Sequence, residues 1–333
     1  MSDPANIAPV PEPLLTVVLP VRNAAAYLQR ALDSLQTQTF GDFRVLAIDD
    51  GSTDGSGEIL QSLRDPRFSV IRREARGLVH TLNEGLERAA TPYVARMDAD
   101  DCSLPERFAR QVQALEADPA LALVGSQARV IDAAGAPMGQ LPALTEHAAI
   151  RRALAVTNCF VHGSTVFRRE IALRAGAYRA SAALVEDYDL WQRIAELGRV
   201  ANHAEVLYEW RATPAGASRS RRAEQRAAAE RVADGIWQAW FGEAGPAPRE
   251  AWPEIWRPGS EPLFASNLHL LFARGYLRRG RRALAFSHVR AALAFRPHNM
   301  AGWAYAGAFP LPPRWFSALE GHARTLMERQ RGW

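Results

Sequence analysis

From residue 14 to about residue 130, short apolar and β-branched runs alternate with stretches that have the amphipathic spacing of helices. The runs that predict strands are Leu15–Pro20, Arg44–Asp50, Phe68–Arg72 and Tyr93–Asp98. The stretches between them that predict helices are Ala25–Gln38, Gly55–Leu63 and Leu78–Ala89. Near-continuous apolar strands that alternate with helices indicate βαβ units and a mostly parallel sheet covered by helices on both faces.

Polar clusters follow three of these strands at the point where each strand ends. They are Pro20-Val21-Arg22-Asn23, Asp49-Asp50-Gly51-Ser52 and Asp98-Ala99-Asp100-Asp101. Because ligands of open α/β sheets bind outside the carboxyl ends of the strands, we expect these three clusters to converge on one site.

After residue 130 the alternation weakens, and the pattern changes again near residue 215. Helices are predicted over Ala148–Ala155 and Asp187–Leu197, a strand over Val200–Trp210, and a small-residue linker over Thr213–Ser220. The remaining predicted helices are Arg221–Phe241, Leu263–Arg279, Arg282–Phe295 and one from about Pro313 to Arg329. The pattern therefore predicts a flexible tail over residues 1–13, an α/β domain over 14–215 and an all-helical extension over 216–333.

Composition excludes a disordered chain, a collagen-like chain and a small protein built on disulfides. The 333 residues are 48% hydrophobic and 23% charged, as in soluble globular proteins that bury a core. The two cysteines, Cys102 and Cys159, lack disulfide-framework or zinc spacing. No apolar run reaches ~18 residues, and the start has no signal-peptide pattern, so a cytoplasmic protein is expected.

Charge is distributed unequally along the chain. Residues 1–215 hold 22 arginines against 27 acidic residues, whereas residues 216–333 hold 18 arginines against 9 acidic residues. This asymmetry predicts different partners for the two parts. The basic helices contact a protein, rest on an anionic membrane surface, or are simply solvated; nucleic acid is not expected, because no aromatic–basic platform accompanies the charge.

Three acidic clusters carry candidate chemistry, and each also has a purely structural interpretation. Asp98 and Asp100, two residues apart, are suited to one Mg²⁺ or Mn²⁺ ion, or are solvated loop residues. Asp49 and Asp50 open a turn that caps a helix, or accept hydrogen bonds from a nucleobase or ribose. The acids from Glu186 to Asp189 complement a helix dipole, or include a general base.

Together these residues resemble a family 2 inverting glycosyltransferase of the GT-A fold. The segments that carry the resemblance, in the family's order, are TVVLPVRNAAAYLQRALDSLQTQTF, VLAIDDGSTDGS, ARMDADDCSLPERFARQ, HGSTVFRRE and EDYDLWQRI. They cover residues 15 to about 211. The resemblance implies a Rossmann-like GT-A domain that transfers one sugar from a nucleotide-diphospho-sugar, with a UDP- or dTDP-sugar as the expected donor.

The resemblance also implies roles for individual residues. Asp98 and Asp100 match the metal-binding DxD motif for Mn²⁺ or Mg²⁺, with Asp100 as the expected direct ligand, and Asp187 matches the catalytic base. Donor-binding positions fall along the first loop, the acidic turn, the nucleotide pocket and the sugar-facing loop: Pro20, Arg22, Asn23, Asp49, Asp50, Arg76, Asn83, Asp98 and His162. Between Asp49 and Asp50, Asp50 is favoured for base or ribose recognition.

The chain departs from the family's processive synthases. It lacks their QxxRW element and has Tyr208-Glu209-Trp210-Arg211 in the corresponding stretch, with Arg211 a candidate for diphosphate contact. A single transfer is therefore expected, in surface-glycan or glycoconjugate synthesis. The acceptor is a glycan, a lipid-linked molecule or a small molecule, and a lipid-linked acceptor would bring the protein to the inner face of the membrane.

The helical extension contains a segment, residues 266–299, that resembles one tetratricopeptide-type repeat. The positions that match are Tyr276, Gly280, Ala285, Ala292 and Pro297. Its helices are expected to bind a protein partner or to help shape the acceptor site. The first use leaves a second interpretation of the whole chain, in which a degenerate transferase domain is a scaffold for a protein-interaction segment. A nucleotidyltransferase is disfavoured because LPVRNAAAY is not a basic phosphate-activating loop.

Overall fold

The computed structural model describes residues 13–213, 221–242, 262–299, 302, 303 and 306. The chain divides into two compact units, Met1–Ala143 with Phe160–Ala228, and Leu144–Cys159 with Ala229–Trp333. The structural division therefore falls after Ala228 and assigns the segment Leu144–Cys159 to the second unit. Residues 1–12 of the predicted tail, most of the linker and the closing helix from Pro313 lie outside the described residues.

The first unit holds the strands and most of the shorter helices. Its strands are β1 (Leu15–Val21), β2 (Phe43–Asp50), β3 (Phe68–Arg73), β4 (Tyr93–Arg96), β5 (Cys102–Ser103), β6 (Leu121–Ile131), β7 (Pro137–Leu141), β8 (Val166–Arg168) and β9 (Arg199–Arg211). Its helices are α1 (Ala25–Gln36), α2 (Ser56–Ser62), α3 (Leu78–Arg88), α4 (Arg107–Ala117), α6 (Arg169–Arg174) and α7 (Glu186–Leu197). The four predicted strands and the three helices between them are confirmed, and each observed end lies within two residues of the predicted one.

The sheet has the order β3-β2-β1-β4-β8-β6-β9-β5, with β7 paired to β6. Strands β3, β2, β1 and β4 pair in parallel, as expected, and β6 pairs in parallel with β9. The pairs β4–β8, β8–β6, β6–β7 and β9–β5 are antiparallel, so the sheet is mixed. The α/β fold class is confirmed, and the antiparallel half is the part that strand-by-strand periodicity did not reveal.

The packing and the register of the central strand β1 place the polar strand ends at one edge of the sheet. Residues Leu15–Leu19 of β1 are buried on both faces, as expected for a parallel strand between helical layers. Helix α1 packs Leu28, Leu32 and Leu35 inward at four- and three-residue spacing. With Val21 paired to Asp49 and Val18 to Arg96, the carboxyl ends of β1, β2 and β4 lie at one edge.

The second unit is helical in its described part. It contains α5 (His147–Leu154), the later part of α8 (Arg222–Phe241), α9 (Pro262–Arg278) and α10 (Arg282–Phe295). The Ser266 hydroxyl donates to the Ala292 carbonyl (2.9 Å) and accepts from the Asn299 amide (2.7 Å), linking α9 to α10 and to the residues after it. The hairpin agrees with two predicted helices, while its likeness to a tetratricopeptide repeat stays a prediction. In the described residues, no helix has the length and apolarity needed to cross a membrane.

Candidate active site

The loops after β1 and β2 are joined by hydrogen bonds between side chains and backbone. The Asp49 carboxylate accepts the Ser52 N–H (2.8 Å), and the Ser52 hydroxyl accepts the Asn23 N–H (3.1 Å). The Asn23 side chain accepts the Thr53 N–H (2.9 Å), and its backbone has φ +51°, a left-handed conformation that asparagine tolerates. Three predicted donor-site residues, Arg22, Asn23 and Asp49, therefore lie on two interlocked loops.

The same β2 loop caps helix α1. The Ala24 N–H donates to the Ser56 hydroxyl (2.9 Å), and the Ala25 N–H donates to the Asp54 carboxylate (2.9 Å). These are orphan donors of the first turn, which a local Ser or Asp commonly satisfies. Asp54 also accepts the Ser56 N–H (3.1 Å) at the start of α2. The capping interpretation of the acidic turn is thus correct for Asp54, which caps the helix that follows the turn and also α1, distant in sequence.

Asp50 is almost completely buried and uses both carboxylate oxygens. One oxygen accepts the Arg76 N–H (2.7 Å) and is ion-paired with Arg73, and the other accepts the Gly77 N–H (2.8 Å). Burial raises the pKa of Asp50, but these donors outweigh burial, and the pKa is lower than that of an ordinary aspartate. Asp50 therefore fixes the loop after β3, and its predicted contact with a nucleobase or ribose stays a prediction.

Beside this loop is a cleft of about 530 Å³. Its lining residues, which include two predicted donor-site residues, are Arg76, His80, Asn83, Glu84, Glu87 and Arg88. The Asn83 amide donates to the Tyr178 carbonyl (2.8 Å) and accepts the Tyr178 N–H (3.0 Å). Asn83 thus holds the backbone of Tyr178, and its predicted contact with a nucleotide remains untested.

The acidic cluster after β4 divides into carboxylates with different partners. Asp101 is buried, accepting the Tyr208 hydroxyl (2.9 Å) and the Arg211 N–H (2.7 Å), so it joins this loop to β9. Asp98 is one-third exposed and ion-paired with Arg96. Burial, followed by the charge of Asp98, raises the pKa of Asp100 to about 6.

Arg211, a candidate for diphosphate contact, makes side-chain hydrogen bonds to backbone carbonyls of two loops. Its guanidinium donates to the carbonyls of Asp100 (2.7 Å) and Asp132 (2.9 Å), and it lies over the Tyr27 ring. With only 3% of the residue exposed, the described contacts of this side chain are structural, and its predicted contact with a diphosphate stays a prediction.

Glu186 and Asp187 begin helix α7. Asp187 is partly exposed and accepts the N–H of Tyr188 (2.7 Å), while Glu186 is buried. Burial, followed by the charge of Asp187, raises the pKa of Glu186 to about 7. The preceding Leu184 has φ +79°, rare for a leucine, and its carbonyl accepts the Gln225 amide of α8 (3.1 Å).

The predicted sugar-facing loop lies among aromatic rings. The Nε2 atom of His162 is 3.2 Å from the Tyr178 hydroxyl, and its ring meets Trp191 edge-on. Burial, followed by the charge of Arg96, lowers the pKa of His162 well below its usual value, so the imidazole is neutral. A Cβ on Gly163 would overlap the Tyr208 hydroxyl, which explains the glycine in this loop.

Electrostatic coupling connects the predicted metal and base positions. The charge of Arg96 acts on Asp98, Asp100, His162 and Glu186. Burial raises the pKa of Tyr178, and the charges of Asp187 and Asp98 both raise it further. The carboxylates after β4 and at the start of α7 are linked in this way through Arg96 and Tyr178, and they are called the acidic centre below: Asp98, Asp100, Asp101, Glu186 and Asp187.

The fit to a divalent ion follows from the donor chemistry. In the described part of the chain, no group of three or more His, Cys, Asp or Glu side chains is arranged to hold a metal by itself. Mg²⁺ characteristically uses one or two carboxylates and completes its shell with water and substrate phosphates. Asp98 and Asp100 therefore fit an ion shared with a diphosphate and do not form an all-protein cage.

Sequence reasoning gave no role to three residues that interact with this centre, Arg96, Tyr178 and Tyr208. It named Asp101 and Glu186 only as members of their acidic clusters. One had a usable signal, because an arginine inside the apolar run YVAR is a charge in a buried strand and needs a partner. The tyrosines had none, since their hydroxyl contacts join residues 16 and 107 positions apart.

Comparison with known proteins gives concordant results. The family model "Glycosyl transferase family 2" matches residues 16–175. The chain is 35% identical over 190 residues to amylovoran biosynthesis glycosyltransferase AmsE of Erwinia amylovora, covering 56% of this chain and 70% of the relative. It is 31% identical over 187 residues to O-antigen biosynthesis glycosyltransferase WbnJ of Escherichia coli, covering 54% and 71%.

Solved structures support the fold. S. aureus TarS 1-349 in complex with UDP-GlcNAc superposes with a TM-score of 0.58 at 16% identity, covering 96% of this chain and 91% of that chain. The mannosyltransferase PcManGT from Pyrobaculum calidifontis, in complex with GDP-Man and Mn²⁺, superposes with a TM-score of 0.54 at 21% identity, covering 99% and 91%. At these identities the likeness concerns the fold alone.

Proposed function

The chain belongs to glycosyl transferase family 2 and is a glycosyltransferase, and we propose that it transfers one sugar, with inversion, from a nucleoside-diphosphate sugar to an acceptor hydroxyl. The observation that carries the proposal is the acidic centre, in which the charges of the partly exposed Asp187 and of Asp98 both act on Tyr178, and the charge of Asp98 acts on Asp100. Such a centre supplies a proton acceptor and cation ligands together.

The proposed reaction is a single displacement. The carboxylate of Asp187 takes the proton of the acceptor hydroxyl, whose oxygen then forms a bond to the anomeric carbon. The bond from that carbon to the diphosphate breaks, and its electron pair leaves with the nucleoside diphosphate. A Mg²⁺ or Mn²⁺ ion bound at Asp98 and Asp100 would neutralise the leaving diphosphate.

The donor's nucleoside is proposed to bind along the joined loops after β1 and β2 and the cleft beside α3. Pro20, opposite Ile48 in the sheet, Arg22 and Asn23 border this edge. Arg76 lines the cleft and its guanidinium is 3.1 Å from His80. His162, neutral and near the acidic centre, is proposed to contact the donor sugar.

The proposed substrates are a UDP- or dTDP-sugar and a glycan, lipid-linked or small-molecule acceptor. Two relatives, named for amylovoran and O-antigen biosynthesis, favour a role in making a surface polysaccharide. The proposed location is the cytoplasm, with the inner membrane face as the place where a lipid-linked acceptor would be met.

The test is a thermal-shift panel of UDP-, dTDP- and GDP-sugars with and without Mn²⁺, followed by a transfer assay with the donors that bind. A ligand at 100 times its Kd should stabilise the fold by about 2.7 kcal/mol. We expect a Mn²⁺-dependent shift with one nucleotide class and, by NMR, a β-linked product from an α-linked donor. Folded protein that shifts with none of these donors would contradict the proposed donor class.

A further inference from the structure

The helix that carries Asp187 begins without the usual side-chain cap. Helix α7 starts after Val185, whose apolar side chain cannot accept a hydrogen bond from the first turn, although Ser, Thr, Asp or Asn is preferred at this position. Further along the helix, Leu190 and Trp191 are completely buried. Packing therefore fixes the body of α7, while the place of its first acids depends on the chain that enters the helix.

Leu184, the residue before Val185, has a backbone conformation that is rare for its type. Its φ is +79°, in the left-handed region that bulky L-residues seldom adopt. Its carbonyl accepts the side-chain amide of Gln225 (3.1 Å), and its N–H donates to the carboxylate of Glu186. Backbone strain of this kind persists where surrounding contacts impose it, and it is concentrated at functional sites.

The contact from Gln225 is long-range and comes from another helix. Gln225 is half-buried near the start of α8, 41 residues after Leu184 in the chain, and both residues lie in the first compact unit. Because the donor is a side-chain amide, a substitution removes the hydrogen bond without changing the backbone of either segment. The restraint on Leu184 can therefore be tested separately from the acids that follow it.

The position of a general base is critical for its rate. The base must lie within hydrogen-bond reach of the acceptor hydroxyl, and a misplacement of about 1 Å can cost roughly 100-fold. Asp187 follows Leu184 by three positions. A change of the Leu184 backbone to the ordinary negative φ range would redirect the chain that enters α7 and would move the carboxylates of Glu186 and Asp187.

We propose that Leu184 is a positioning residue for the glycosyl transfer, because the left-handed backbone that Gln225 maintains there sets where the Asp187 carboxylate lies. The inference rests on the proposed function, since it takes Asp187 as the base. It assigns a role in catalysis to a strained residue and to a glutamine of α8, both of which act through Asp187.

Two substitutions of Leu184 separate its conformation from its packing. Asparagine is polar but tolerates the left-handed region, whereas valine is apolar but β-branched and disfavours that region. We expect kcat to fall about tenfold in L184V and to stay within about threefold of wild type in L184N, with little change in the KM for the donor. If packing of the side chain is what matters, L184N will lose more activity than L184V, and the proposal is wrong.

Q225M tests the restraint itself, because methionine has the length of glutamine and no hydrogen-bond donor. We expect kcat to fall about tenfold, and amide hydrogen exchange in the peptide that contains Leu184–Asp187 to become about tenfold faster. Q238M, the same substitution at an exposed position of α8, should change neither quantity. Wild-type kcat and exchange in Q225M would overturn the proposal, whether or not L184V folds.

D187N separates this inference from the proposed function. Wild-type kcat in both L184V and Q225M, in an enzyme that D187N inactivates, overturns the positioning role alone. A D187N variant that keeps kcat overturns the proposed base and, with it, the route by which Leu184 would act. Faster exchange in Q225M, when the wild type transfers no sugar, overturns the proposed reaction and supports the restraint on Leu184.

Discussion

Two aspartates at the carboxyl ends of parallel strands of the same sheet behave in opposite ways. Asp50, the last residue of β2, has a lowered pKa because two backbone N–H groups and Arg73 outweigh the effect of burial. Asp100, after β4, has a pKa raised to about 6, because burial and the charge of Asp98 outweigh its favourable contacts. Both are the same residue type at the same edge of the sheet, so their local surroundings make the difference.

The opposite pKa shifts distinguish Asp50, a carboxylate with a structural role, from Asp100, a carboxylate suited to bind a cation or a proton. Around Asp50 the protein supplies enough donors to stabilise the negative charge by itself. Around Asp100 and Glu186, by contrast, the charges of Arg96 and, for Asp100, of Arg211 do not outweigh burial and the neighbouring acids, so the pKa of each carboxyl stays raised. Carboxyl groups with raised pKa values are characteristic of sites that take up cations or protons.

The largest expected effect is on catalysis. D187N, which removes the proposed base from the acidic centre, should lower kcat about 1,000-fold, because general bases typically contribute 10²–10⁴-fold. The affinity for the donor should stay within about threefold. Transfer assays and donor titrations measure both quantities.

E196Q is the control for this experiment. Glu196 lies on the same helix and is exposed, so removal of its charge should leave kcat unchanged. An unchanged kcat in D187N would remove Asp187 as the base.

The next effect is on stability at the structural carboxylate. D50N should lower the free energy of unfolding by about 3 kcal/mol at pH 7, because it breaks a buried ion pair. Since the folded-state pKa of Asp50 lies below its usual 3.8, this contribution is present above that pH and is lost as pH falls through the folded-state value. Urea unfolding at pH 7 and pH 3 measures it.

D42N, on the exposed residue just before β2, controls for a generic loss of one negative charge. Equal stability of D50N and D42N at pH 7 would show that the Asp50 contacts contribute nothing.

The acidic centre should show the opposite pH dependence. The pKa of Glu186 is raised to about 7 from 4.5, so its contribution to stability is complete below pH 4.5 and is lost as pH rises through 7. E186Q lacks this loss and should gain about 2 kcal/mol relative to wild type between pH 5 and pH 8. Urea unfolding of both proteins at the two pH values tests this, and a difference that does not vary with pH would contradict a raised pKa.

The smallest expected effect is at Asn83. N83A removes both hydrogen bonds to the Tyr178 backbone and should lower the free energy of unfolding by about 1 kcal/mol. It should also raise KM for the donor more than it lowers kcat, since Tyr178 positions His162. E87Q, an exposed position on the same helix and in the same cleft, should change neither quantity, and N83A with wild-type KM would exclude the positioning role.

Much of the catalytic unit was predictable because its signals are local. The runs LTVVLP and RVLAIDD are apolar strands, and their positions follow from periodicity without any tertiary information. The polar ends of β1, β2 and β4 were expected at one edge because parallel strands share their direction. The antiparallel insertion of β8 between β4 and β6 had no such signal, since strand order is decided by long-range pairing.

Residue types and their order along the chain therefore determined the fold class, the family and the candidate acids. The tertiary structure decided which partners those acids have: Asp50 accepts N–H donors from the loop after β3, Asp98 is ion-paired with Arg96, and Asp101 accepts the Tyr208 hydroxyl and the Arg211 N–H. A carboxylate's charge state depends on burial and on partners within a few ångströms, and those partners come from residues far apart in sequence. Periodicity and spacing carry no information about such contacts. The different partners of the acids in the acidic centre therefore became visible only in the folded chain.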